Sequence, residues 1–101
     1  MRVILSTCSP SEADSLLDAL LAERLVACGN LIRGVRSRYF WEGAIQSDEE
    51  VLMLMETTDE NAADAVARLR ELHSYDVPKI LTLEPSACDA RYLTWLRDVT
   101  R

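Results

Sequence analysis

Between Tyr39 and Thr57 the sequence reads YFWEGAIQSDEEVLMLMET, two extended runs that meet at Glu42-Gly43. Before the turn, Val35, Ser37, Tyr39 and Trp41 fall on one side of a period-2 pattern, with Arg36, Arg38 and Phe40 on the other. After it, Ile45 to Glu50 is mostly polar, and Val51 to Met55 is apolar without a break. An unbroken apolar run suits a strand covered on both faces; the polar half suits one that has left the core. The pattern predicts one long hairpin whose base is core and whose aromatic tip projects beyond a small domain. A lone two-stranded ribbon is marginal in water, so something must cover it. A second copy of the chain is the natural cover.

The 101 residues suffice for one domain, residues 1–101, with one core. A formal net charge of −6 argues against nucleic acid as a partner, because phosphate binding needs a basic footprint. No segment approaches the roughly 20 apolar residues of a membrane helix, and the N-terminus turns polar too quickly for a secretory signal. Cys8, Cys28 and Cys88 are odd in number and widely spaced, which does not read as a disulfide framework. A reducing cytoplasm is the expected location.

Along the chain, Arg2 to Thr7 reads as a first strand. Ser9-Pro10-Ser11-Glu12 reads as a capping box with Pro10 at the first helical position. The stripe Ala13, Leu16, Leu17, Leu20, Leu21 and Leu25 then predicts an amphipathic helix ended by Gly29. Strands over Leu31–Trp41 and Ile45–Thr57 form the hairpin. Thr57, with Glu60, is expected to cap a second helix whose stripe is Ala62, Val66, Leu69 and Leu72. A last strand over Val77–Leu83 carries Pro78 near its start. Asp89 then caps a short helix with Tyr92, Trp95, Leu96 and Val99 on one side. The order β-α-β-β-α-β plus a terminal helix is that of an α+β, ferredoxin-like split βαβ sandwich.

Several segments carry a more specific likeness: Glu23 to Cys28 running into Asn30-Leu31-Ile32, Tyr39 to Gly43, Glu50 to Met53, His73 to Pro78, and Tyr92 to Leu96. In this order they resemble the CutA family, the divalent-cation tolerance proteins, over nearly the whole chain. The resemblance implies a ferredoxin-like protomer in an intertwined homotrimer, with sheet edges joined about a threefold axis. It also implies an architecture shared with PII signalling proteins, a cytoplasmic location in bacteria, and a link to tolerance of copper or other divalent ions. Copper ligands proposed for the family, a strand-one cysteine and two adjacent histidines, fall on Ser6, Leu72 and His73, so only His73 remains a ligand type. Where members commonly carry Lys and Glu, this chain carries Glu56 and Lys79. That double reversal suggests an ion pair of inverted polarity, within a protomer or across an interface.

His73, the only histidine, and Cys8 are the first metal-ligand candidates, although no close Cys/His pairing makes one chain a metal cage. The plainer role for His73 is to bond carbonyls at a helix end. Cys8 lies just before a helix N-terminus, where a thiolate would be stabilised, but a nucleophile would need His73 and an orienting third group. Cys28 reads as buried filler and Cys88 as an exposed thiol. The run Asp48-Glu49-Glu50 reads as a solvated strand edge. Tyr39, Trp41, Tyr75, Tyr92 and Trp95 are expected to line an intersubunit cleft. The leading expectation is a non-enzymatic trimer linked to divalent-metal tolerance, with metal or a small ligand between subunits. The alternative is a PII-like regulatory module that binds a small anion or metabolite and signals to a partner.

Overall fold

The computed structural model describes residues 1–101, with β1 (Arg2–Cys8), α1 (Ala13–Ala22), β2 (Cys28–Trp41), β3 (Ala44–Thr57), α2 (Ala62–Leu72), β4 (Ile80–Leu83) and α3 (Ala90–Val99). The strands form one antiparallel sheet in the order β2-β3-β1-β4. This is the α+β, ferredoxin-like arrangement that the sequence predicts.

Alternation along β1 and β3 sends Ile4, Val51, Met53 and Met55 to one face, where they meet Leu16, Leu17 and Leu20 of α1 and Ala65 and Leu69 of α2. Every one of these side chains is buried. Their alanines and leucines sit at helical spacings of three and four, so a single stripe of each helix reaches the sheet. The opposite face carries Val3, Leu5, Leu52 and Leu54, flanked by Leu81, Leu83 and Ile32, the last three each 47% exposed. Only α3 approaches it, over its Cys28–Glu56 end. Most of this apolar face is left bare.

The hairpin is longer than the sheet behind it. β2 and β3 pair from Cys28↔Glu56 to Trp41↔Ala44, while β1 backs β3 only from Thr57 to Val51. Glu42 and Gly43 close the loop with φ of +49° and +80°, the positive values a two-residue type I′ turn requires. Phe40, Trp41 and Ile45 at the tip are 71%, 49% and 63% exposed. Lower down, the register slips between Ile32 and Val35, and Gly34 takes φ +74° in the resulting bulge. Two residues, Arg33 and Gly34, then oppose Val51 alone. Such a bulge raises local twist and re-aims the strand beyond it.

Four local expectations are corrected. Gly29 does not end α1; the chain turns at Arg24, whose φ is +58°, with Arg24 N–H donating to Leu21 O and Leu25 N–H to Leu20 O. That is a Schellman cap carried by a non-glycine residue. Gly29 lies instead in β2, where a Cβ would come 2.3 Å from Leu17 Cδ1. Thr57 is not a helix cap either. It is a fully buried strand residue whose hydroxyl donates to Leu25 O at 2.5 Å; Thr58 Oγ1 accepts from Asn61 N–H at 3.1 Å in the turn ahead of α2, whose N-cap Asn61 has no side-chain cap. The Ser9–Glu12 pair does meet, but in a turn ahead of α1, with the Ser9 hydroxyl donating to Glu12 Oε2 at 2.8 Å. The last strand is shorter than expected, Ile80–Leu83, with Pro78 ahead of it.

The contact at Gly29 yields a stability prediction. Gly29→Ala is expected to lower unfolding free energy by about 1–3 kcal/mol, the usual cost of overpacking a filled core. Chemical denaturation should show this cost and should show it reduced in a Leu17→Val background. Equal costs in both backgrounds would mean that Leu17 is not the obstacle.

Candidate functional site

After the bulge, the side chains of Val35, Ser37, Tyr39 and Trp41 share the open face with their cross-strand partners, among them Asp48 and Glu50. The connector from Tyr75 to Lys79, between α2 and β4, rises beside them. Together they enclose a groove of about 810 Å³, walled by Tyr39, Phe40, Trp41 and Tyr75. Arg36, Arg38 and Lys79 also line it, and all are exposed.

Glu50 lies at the base of this groove and is only 6% exposed. The Tyr75 hydroxyl donates to its Oε2 at 2.7 Å. Burial first, and the neighbouring Glu50 carboxylate second, push the Tyr75 phenol up, so it stays a proton donor. No arginine or lysine pairs with Glu50. The three-acid run is therefore split. Asp48 and Glu49 are exposed as a solvated edge should be, Asp48 accepting from the Tyr39 hydroxyl, whereas Glu50 is turned inward.

Tyr75 is held by the residues around it. Its ring lies 4.6 Å from that of His73, and its backbone N–H donates to His73 Nδ1 at 3.1 Å. The other ring nitrogen, Nε2, then carries the proton and donates to Thr7 O at 2.8 Å. His73 is 7% exposed. Both ring nitrogens are engaged, so a metal at His73 would have to displace one of these bonds. Next to it, Ser74 donates to Glu12 through both its backbone N–H, at 3.1 Å, and its hydroxyl, at 2.5 Å. Burial pushes the Glu12 carboxyl up, but these bonds, the Ser9 hydroxyl and the nearby His73 outweigh it and hold the group below the usual carboxylate range.

Cys8 sits behind this network, fully buried. Burial, and then the charges of Glu12 and Glu50, push its thiol up to about 11. This reverses the expectation of a stabilised thiolate, because desolvation and nearby acids outweigh the helix end. It is not a ready nucleophile. No three His, Cys, Asp or Glu side chains of one chain gather as a metal-holding group. The residues of a single protomer thus do not fit a metal centre.

Of the five aromatics expected in an intersubunit cleft, a single chain brings Tyr39, Trp41 and Tyr75 to one groove, and its own Tyr92 and Trp95 do not line that groove. Those two sit on α3 with ring centroids 5.5 Å apart. Tyr92 reaches Glu56 and Cys28 at the other end of the open face; burial, then Glu56 and Cys28, push its phenol up to about 12. Glu56 forms no ion pair with Lys79 within the chain. The ladder explains why: Glu56 lies opposite Val3 and Cys28, whereas Lys79 adjoins Ile80, which pairs with Ser6 next to Met53. Glu56 Oε2 is buried without a partner, and burial raises its pKa. Cys28 and Cys88 are both half-buried, neither filler nor fully exposed.

A family profile described as CutA1 divalent ion tolerance protein matches residues 2–99. The divalent-cation tolerance protein CutA of Pectobacterium atrosepticum is 41% identical over 96 residues, covering 93% of this chain and 86% of that one. The crystal structure of CutA1 from Pyrococcus horikoshii superposes with a TM-score of 0.95 at 34% identity, over 100% of this chain and 99% of that one. The divalent cation tolerance protein of Thermus thermophilus gives 0.93 at 38% identity, with both chains fully covered.

The Glu12 network makes stability depend on pH. The folded pKa of Glu12 lies below its unfolded value, so its carboxylate contributes stability above the unfolded pKa and loses it as pH falls through the folded one. Glu12→Gln should therefore be less stable than wild type at neutral pH, with the gap closing below about pH 4. Melting temperatures across pH 3–7, a range of about four units around the carboxylate pKa, would reveal a constant gap if the charge is irrelevant.

Proposed function

The chain belongs to the CutA1 divalent ion tolerance family, and we propose from that premise that it acts in tolerance of divalent cations, copper among them, as a non-enzymatic homotrimer. The observation that carries the trimer is the uncovered surface: a bare apolar sheet face with exposed Leu81, Leu83 and Ile32, and an aromatic hairpin tip projecting past β1. Monomeric proteins rarely leave so much contiguous apolar area in water. Both outer strands, β2 and β4, also offer unpaired edges. Three copies that add each arm to a neighbour's sheet remove these edges and cover the aromatics in a closed ring. Any metal the protein handles binds between copies, since one chain assembles no ligand set. Its location is the cytoplasm, in keeping with free thiols at Cys8, Cys28 and Cys88.

A second reading has support in the groove itself. Its volume and its mix of aromatic walls with a few charged groups suit a small molecule. On this reading the protein is a PII-like sensor, occupied between subunits and read by a partner protein.

Native mass measurement decides the assembly: at micromolar concentration the mass should be three times the 11.4 kDa chain. A stable, folded monomer would remove the proposal. Copper titration of wild type and His73→Ala checks the metal role. Equal affinity is expected, because His73 spends both nitrogens inside the chain; a large loss would restore His73 as a ligand.

A further inference from the structure

We propose that the groove recognises a small molecule carrying a protonated amine on an apolar body, with the ammonium seated on Glu50 and the body against Trp41 and Tyr75. The inference rests on reading the groove as the ligand cleft and names what the cleft takes.

Glu50 motivates it. Glu50 as a residue is only 6% exposed, yet the only protein donor to its carboxylate is the neutral hydroxyl of Tyr75. Its other oxygen has no protein partner, and it is not sealed off either: Glu56 Oε2 is the one fully buried oxygen without a bond. Glu50 therefore keeps an accepting oxygen directed to the groove it lines. A buried charge is costly unless a counter-charge meets it. The cations of the chain do not supply one. Arg36, Arg38 and Lys79 line the same groove but are exposed and form no ion pair with Glu50.

The walls select among possible cations. Aromatic faces attract ammonium groups through their ring quadrupoles, and they cover an apolar body. A hard metal ion would instead require several oxygen ligands; Asp48 and Asp76 also line the groove, but no three acidic, histidine or cysteine side chains gather closely enough to hold one. An anion seated at Glu50 would meet its charge, whatever it met at Arg36, Arg38 or Lys79. The surrounding bonds keep the site in shape without a ligand: Tyr75 is fixed by His73 from below, and His73 by Thr7.

Phenethylamine is a suitable probe, with phenylethanol as its neutral counterpart and phenylacetate as its anionic one. Isothermal titration of the full chain should show phenethylamine binding at least about tenfold tighter than either, the discrimination expected of a charge-assisted bond. Glu50→Gln should reduce that preference by about the same factor, and Tyr75→Phe should weaken binding while keeping the preference for the ammonium. The selectivity of the wild type is a test that does not depend on any variant folding. No binding of phenethylamine at millimolar concentration, or tighter binding of phenylacetate, would overturn the inference. So would Glu50→Gln dissociating the assembly while wild type ignores the amine, which would assign Glu50 to a lysine or arginine of a neighbouring copy. Native mass on the same samples separates the two proposals: amine binding by a monomer would sink the trimer and leave the amine site standing.

Discussion

The ladder between β2 and β3 continues from Val51 and Cys8, where β1 stops, out to Trp41 and Ala44. Over that distal stretch each strand has one neighbour, and no helix lies behind it. Ribbons of this kind gain too little buried area to hold themselves together in water. Everything unusual in the chain is arranged around this arm. The bulge at Gly34 bends it, the I′ turn at Glu42-Gly43 closes it without splaying the strands, and Tyr39 ties its two strands through Asp48. What it cannot supply is a second layer, and its exposed Phe40, Trp41 and Ile45 mark where one belongs.

The polar residues at the base of the arm act as one unit. Glu12 fastens the turn before α1 to Ser74 beyond α2, His73 joins α2 to the end of β1, and Tyr75 reaches β3 at Glu50. The chain thereby fixes the groove wall with bonds between elements far apart in sequence. Linked polar groups in a low-dielectric setting hold geometry firmly when all are satisfied. Glu50 is the member left incomplete, and with Tyr75 it lines the groove. The same surroundings that keep Tyr75 protonated also silence Cys8, so this region suits recognition better than nucleophilic chemistry.

The sequence made the architecture readable because its periods are clean. Leu16, Leu17 and Leu20 lie on one helical stripe, and Val35 to Trp41 alternates as a strand should. Sequence and structure part where a residue type has two uses. A glycine such as Gly29 suits a helix end, but its missing Cβ makes room for Leu17 and the turn falls to Arg24. Thr57 and Thr58 are both plausible caps; the carbonyl of Leu25 claims the first, and the second accepts from Asn61 in the turn ahead of α2. Glu50 looked like one more acid in a solvated run, because nothing local says that Tyr75, 25 positions later, will reach it.

By itself the sequence determined the order of elements, the long hairpin and its aromatic tip, since these follow from local periodicity and turn chemistry. Only the tertiary structure decided which aromatics share a groove, that Glu56 and Lys79 lie apart within a chain, and that one acid of three is buried. Those outcomes depend on strand register and on contacts between distant segments. The two-residue turn sets how β3 pairs with β2, but the unbroken apolar run Val51–Met55 does not say which face of β3 meets the helices, and so which acid turns toward Tyr75.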